Sequence, residues 1–225
     1  MHGRGYLDHA AGELSELLGA ARRVLFVPFA QRDHDGYTAR VRDRLEQLGL
    51  AVDGLHAAAD GAAAIAGAEA VFVGGGNTFC LLAELQRRAL LAPLRARVAA
   101  GTPYIGSSAG TNLAGLTIGT TNDMPIAWPT DLNALALVPF NLNPHYLDHD
   151  PRSTHMGETR ETRIREFHEL NPQPVLGLRE AAMLRREGDA LHLRGQAGAR
   201  LFRRDQPPVE LPPGAALDLL RAPAA

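Results

Sequence analysis

Lysine is absent from this chain: all 23 of its basic residues are arginine. Set against 25 acidic residues, they leave a formal net charge of −2. No basic field is therefore available to neutralise a phosphate backbone, which argues against nucleic-acid binding. The arginine usage, beside many alanines, reads as composition bias rather than as a functional device. A single cysteine, Cys80, excludes an internal disulfide and a cysteine-based metal cluster. Cys80 follows a glycine loop and precedes Leu81-Leu82-Ala83, so it is expected to be a small core-facing residue rather than a reactive thiol. No apolar run approaches the roughly 20 residues a membrane-crossing helix needs. The opening Met1-His2-Gly3-Arg4-Gly5 does not read as a secretory signal and leads into an amphipathic stretch with Asp8 and Glu13. A cytoplasmic protein with no membrane partner is the expectation.

What is present is an ordinary globular chain, 45% hydrophobic and 21% charged over 225 residues, which excludes disorder and allows a large core. One domain over residues 1–225 is expected, with a proline-punctuated tail from about residue 205 lying at the periphery. Val24–Phe29, Ala51–Leu55, Glu69–Val73 and Thr102–Ile105 read as strands. Between them Tyr37–Leu48, Ala62–Ile65, Phe79–Leu90 and Ala92–Ala100 read as helices, the first stopping at Gly49. This alternation predicts an α/β fold, a three-layer α/β/α arrangement around a mostly parallel sheet. Leu137–Phe140 also looks strand-like, and from Pro174 onward short runs around a turn at Gly188-Asp189 predict a β-rich C-terminal part.

Three segments could carry chemistry. Gly106-Ser107-Ser108-Ala109-Gly110 fits G-x-S-x-G, in which a strand stops, exposes one serine and resumes as a helix; Ser108 is the candidate nucleophile. A plain turn fits the same five residues. Gly74-Gly75-Gly76-Asn77-Thr78-Phe79 places three glycines at a strand end before a helix cap. It lacks the lysine and spacing of a P-loop and could instead lend a backbone N–H to an oxyanion. Among nine histidines His145 stands out, because Pro144 stiffens the backbone just before it. His149 and His155 with Asp148 and Asp150 raise a metal site, but no ligand spacing supports one. A base needs an orienting acid, and spacing leaves Asp123 and Glu180 both open.

Together these segments resemble the peptidase E family, aspartyl dipeptidases within the serine peptidases that also include cyanophycinases. The resemblance rests on Val27-Pro28-Phe29-Ala30, Gly74–Phe79, Tyr104–Ala114, Thr120–Ile126, Asn143-Pro144-His145 and Gly157–Glu166. It implies a class I glutamine amidotransferase-like fold and a triad of Ser108, His145 and Glu180. It further implies oxyanion donors at Gly76 and Ala109, no metal or organic cofactor, and a homodimer. Arg160 falls on the arginine that recognises the substrate's aspartate side chain, and Asp123 on the S1 region or the amine site, with Asn77 also beside substrate. A guanidinium suits that task, since it grips a carboxylate through a two-pronged fork.

Several positions depart from the family pattern. Ser107 replaces a bulky aromatic before the nucleophile, which predicts a more open pocket. Arg179 replaces a proline and Ala181 a glycine on either side of the acid, and the loop between His145 and Gly157 is one residue longer. The family's opening apolar strand has no counterpart here. Two alternatives stand beside the dipeptidase reading: a hydrolase of broader, β-aspartyl or cyanophycin-like specificity, and a non-catalytic binding protein on the same fold.

Overall fold

The structure, a computed structural model, describes residues 7–150, 152, 154, 157–217 and 220. Four strands, β1 (Arg23–Val27), β2 (Ala51–Gly54), β3 (Ala70–Val73) and β4 (Tyr104–Gly106), form a wholly parallel sheet in the order β2-β1-β3-β4. The connections carry helices: α2 (His34–Glu46), α3 (Gly61–Ala66), then α4 (Thr78–Arg87) and α5 (Leu91–Ala99), with α1 (Ala11–Leu18) before β1 and α6 (Ala109–Ala114) after β4. Strand side chains alternate between faces. Leu25, Val27, Val71 and Val73 pack against Ile65, Leu81, Leu82, Leu85, Leu94 and Leu113 of α3 to α6. Val24, Phe26, Ala70 and Phe72 pack on the other face against Leu14, Leu18, Val41 and Leu45 of α1 and α2. Both faces are thus sealed over the two central strands, which is why Val24–Val27 and Ala70–Val73 are apolar throughout rather than alternating. Each such side chain contributes about 1.5–3 kcal/mol of transfer free energy.

Helix starts follow from local chemistry. Asp33, Asp60 and Asn77 accept from the backbone N–H three residues on, at 2.9, 3.0 and 3.0 Å, satisfying one orphan donor each.

The second half builds another sheet, from β5 (Asn141–Pro144), β6 (Val175–Leu178), β9 (Ala199–Phe202) and β10 (Val209–Leu211), in the order β10-β9-β6-β5. A hairpin of β7 (Ala182–Glu187) and β8 (Ala190–Gly195) turns at Gly188-Asp189, and α7 (Arg160–Leu170) separates β5 from β6.

Two expectations are corrected. Leu137–Phe140 is not a strand. Leu135, Ala136 and Leu137 donate back to Leu113, Gly115 and Ala114 at 2.9 Å each, and Pro139 has no N–H for a ladder; the strand begins at Asn141. Nor do the described residues beyond 205 lie at the periphery. β10 pairs antiparallel with β9, and Leu211, Leu217 and Leu220 are buried with Leu178, Leu191 and Leu193. The apolar flank of the hairpin would otherwise face water, and the tail's leucines cover it.

Candidate active site

β4 ends at Gly106 and α6 starts at Ala109, so Ser107 and Ser108 turn the chain between them. Ser108 sits at φ 53°, ψ −106°, a region a residue with a Cβ avoids. Its neighbours hold it there. Ser107 donates its N–H to the Val73 carbonyl at 3.1 Å, and Thr111 and Asn112 donate to the Ser108 carbonyl at 2.9 and 3.0 Å. The turn also needs strand and helix backbones in contact. A Cβ at Gly106 would stand 2.5 Å from the Gly110 carbonyl oxygen, and one at Gly110 would stand 2.2 Å from that of Val73.

His145 follows β5 directly, and Glu180 lies two residues beyond the end of β6. β5 and β6 are parallel neighbours with Pro144 opposite Leu178, and the Tyr146 N–H donates to the Leu178 carbonyl at 2.9 Å. His145 and Glu180 are therefore brought together by a strand pairing that no spacing reveals. His145 Nε2 lies 2.9 Å from Ser108 Oγ, and its Nδ1 is hydrogen-bonded to Glu180 Oε1. A carboxylate only accepts, which assigns the proton to Nδ1 and leaves Nε2 free to accept from the serine hydroxyl. The side chains of His145 and Glu180 are 53% and 56% exposed, so the arrangement opens to solvent.

The glycine loop passes close to Ser108: a Cβ on Gly75 would come within 2.9 Å of the Ser108 Cβ. Donors along this loop can be accounted for one by one. Gly74 donates to the Val27 carbonyl (3.1 Å), Gly75 to the Tyr37 hydroxyl (2.8 Å), Asn77 to the Ala30 carbonyl (2.8 Å) and Thr78 to Asp123 Oδ2 (2.7 Å). Among the described residues the Gly76 N–H meets no acceptor, and neither do those of Ser108 and Ala109. Gly76 adopts φ 137°, open in practice only to glycine.

Asp123 is half-buried, and its Oδ2 accepts from the Thr78 N–H, the Thr78 hydroxyl (2.5 Å) and the Thr121 hydroxyl (3.1 Å). Asn77 caps α4 through Oδ1 and donates from Nδ2 to the Met124 carbonyl at 2.8 Å. Its amide therefore fastens the Asp123 loop to the glycine loop. Asn122 donates to the Pro144 carbonyl (3.0 Å) and Asn143 to the Thr120 carbonyl (2.7 Å), tying the same loop to the strand before His145.

Arg160 opens α7. Burial holds its guanidinium below the usual arginine range, the positive charge of Arg163 pushes the same way, and Asp123 opposes both. A cation in a first helical turn also faces the positive end of the helix dipole. Arg163 pairs with Glu158 at 3.5 Å and Arg165 with Glu161 at 2.5 Å, whereas no carboxylate lies within ion-pair distance of Arg160 among the described residues. Cys80 is half-buried, and its thiol is pushed up by burial and by Asp123. His149 is exposed, His155 lies outside the described residues, and no three metal-ligating side chains gather among the described residues.

The surroundings of Glu180 were not foreseen from the sequence. Arg179 forks onto Asp148, with both bonds at 2.7 Å, and also reaches Glu210 at 3.0 Å. Arg200 then links Glu210 (3.3 Å) to Glu161 (3.2 Å) at the start of α7. These ion pairs join the segments that carry His145, Glu180 and Arg160. Only the replacement of a proline by Arg179 hinted at them. Two clefts of about 410 and 250 Å³ lie along α7, and neither includes Ser108 or His145.

Comparison with known proteins identifies the family. The model of peptidase family S51 matches residues 1–194. The chain is 54% identical to peptidase E of Streptomyces coelicolor over 219 residues, 97% of this chain and 90% of that protein. It is 52% identical over 223 residues to a Drosophila melanogaster protein named "Probable alpha-aspartyl dipeptidase", covering 98% and 93%. Among solved structures, a peptidase from an acI-B1 actinobacterium superposes with a TM-score of 0.71 over 95% of this chain and 92% of that one; at 16% identity the likeness speaks for the fold alone. No described helix is long and apolar enough to cross a membrane. The match over residues 1–194 and relatives more than half identical along nearly their whole length settle the family: this chain belongs to peptidase family S51.

Proposed function

We propose that the chain is a serine dipeptidase that hydrolyses Asp-X dipeptides, with Ser108 as nucleophile, His145 as base and Glu180 as orienting acid. The observation that carries this reading is the hydrogen-bonded line from Ser108 Oγ through His145 to Glu180. In the mechanism His145 takes the Ser108 proton as Oγ attacks the carbonyl of the aspartyl residue. The N–H groups of Gly76 and Ala109 stabilise the resulting oxyanion, and His145 then protonates the departing amine. Water, deprotonated by His145, hydrolyses the acyl-enzyme and frees aspartate. Arg160, which has no carboxylate within ion-pair distance among the described residues, takes the substrate's side-chain carboxylate. A neutral side chain there would leave a half-buried guanidinium unsatisfied, which is the basis of selectivity. Asp123 and Asn77 line the amine end. The same reading makes the chain a single cytoplasmic domain and a homodimer.

Release of aspartate from Asp-Leu by wild type and Ser108→Ala tests it, with Ala-Leu as control substrate. Hydrolysis of Asp-Leu with a loss of at least ~10³-fold in the variant is expected. A second reading, broader specificity, is favoured by Ser107, which leaves no aromatic wall before the nucleophile; comparable cleavage of Ala-Leu would establish it in place of the first. A folded wild type that cleaves neither would overturn both.

A further inference from the structure

The oxyanion donor on the glycine loop belongs to a peptide that its own residues do little to hold. Glycines flank the Gly75–Gly76 bond, so no side chain on either residue resists rotation of the peptide plane. In a trans peptide the C=O and N–H point in opposite directions. Turning the plane over would present a carbonyl oxygen where an N–H is required, and so repel a developing oxyanion rather than stabilise it.

The loop is pinned around this peptide: Gly74 and Asn77 are fixed to the Val27 and Ala30 carbonyls, and the Gly75 N–H to Tyr37. None of these bonds sets the sense of the plane between Gly75 and Gly76. One side chain reaches this peptide. Gln31 Nε2 donates to the Gly75 carbonyl at 3.3 Å, and Gln31 Oε1 accepts from Arg40 at 3.0 Å. Arg40 only donates, so it determines which end of the Gln31 amide faces the loop. Its guanidinium lies over the Tyr37 ring, 5.4 Å from the centroid, which places it against the same support.

We propose that Gln31, oriented by Arg40, is a positioning residue that sets the sense of the Gly75–Gly76 peptide and so turns the Gly76 N–H towards the oxyanion. The inference rests on the reading of Ser108 as nucleophile. Its chemistry is directional. A donor at position 31 holds the carbonyl, while an acceptor there would favour the inverted peptide, whose N–H it could receive. Gln31→Met removes the hold and leaves the peptide free to sample both senses. Gln31→Glu supplies an acceptor of nearly the same shape, still within reach of Arg40.

The test measures kcat and KM for Asp-Leu in wild type, Gln31→Met and Gln31→Glu, with crystal structures of both variants. Losing one oxyanion donor costs about 10²–10³ in kcat. Gln31→Glu is expected to approach that loss, and Gln31→Met to lose roughly 3- to 30-fold, because its donor remains present part of the time. KM is expected to stay within a factor of about two in both, since the interaction forms only in the transition state. In the Gln31→Glu crystal the Gly75 carbonyl is expected to point away from position 31. A purely structural role predicts instead that the methionine variant is at least as impaired as the glutamate variant, or that KM and Tm change while the kcat order does not; either result overturns the proposal. If wild type cleaves no dipeptide, the reading of Ser108 fails separately. The glutamate crystal then still decides: an unturned peptide overturns the proposed role of Gln31, and a turned one sustains it.

Discussion

The elbow that carries Ser108 depends on a contact that can be broken by one methyl group. A Cβ added at Gly110 would lie 2.2 Å from the Val73 carbonyl oxygen, 2.9 Å from its carbonyl carbon and 3.0 Å from its Cβ. Ordinary carbon–oxygen contact begins near 3.2 Å, so about 1 Å must be found, and it must be found between two backbones because no flexible side chain stands in the way. Relief comes only by moving α6 off β3, and α6 begins at the residue after Ser108. Gly110→Ala is thus expected to cost about 2–4 kcal/mol, in the upper half of the usual overpacking penalties or somewhat beyond them. For a chain of this size that lowers Tm by roughly 4–16 °C. A displacement near 1 Å at Ser108 is expected to cost about 10²-fold in kcat even well below Tm. Gly12→Ala, in α1 with nothing within 4 Å of the added Cβ, serves as the control and is expected to be neutral or to stabilise by up to about 1 kcal/mol. Thermal unfolding and Asp-Leu hydrolysis measured on both variants check the reasoning. A Gly110→Ala protein with unchanged Tm and kcat would refute it, because the close approach could then not exist.

Two further outcomes follow from the backbone and the charges. Ala181, just after Glu180, sits at φ 66°, a conformation that costs a residue with a Cβ about 1–2 kcal/mol; Ala181→Gly recovers this against about 0.4–1 kcal/mol of added unfolded-state entropy. A net gain near 0.5–1 kcal/mol in urea unfolding is expected, and a loss of stability would count against the assigned backbone. Hydrogen bonds from Arg87 and then Arg88 hold the Glu84 carboxyl down to about 2. A folded-state value below the unfolded one means that its contribution is complete above about pH 4.5 and is lost as pH falls towards 2. Glu84→Gln should remove at most about 1 kcal/mol, given its partial exposure, and flatten the fall in stability across that window; an acid-unfolding curve parallel to wild type would show that the pairs contribute nothing.

Much of the protein was legible in order of residues alone. Apolar runs broken by helical periodicity gave the parallel α/β half, because a strand covered on both faces must be apolar at every position. The serine between glycines marked the elbow for an equally local reason, since the backbones meet where no side chain intervenes. Leu137–Phe140 misled because apolar content resembles a strand whether or not its N–H groups find a ladder, and here they turn back to the end of α6. The leucines of the tail were misjudged because prolines beside them look like loop, although the hairpin needs them as cover. The partner of His145 could not be chosen from spacing: Asp123, in the loop after α6, and Glu180, just past β6, are both carboxylates that spacing does not rank. Only the pairing of β5 with β6 sets Glu180 against His145 Nδ1, while Thr78 and Thr121 claim Asp123. The sequence by itself determined which residue types could react and where the chain could turn, because those depend on neighbours a few bonds away. Tertiary structure alone decided that Glu180 rather than Asp123 meets His145, and which N–H groups of the glycine loop find an acceptor among the described residues, because the partners lie 35 or more residues apart in the chain.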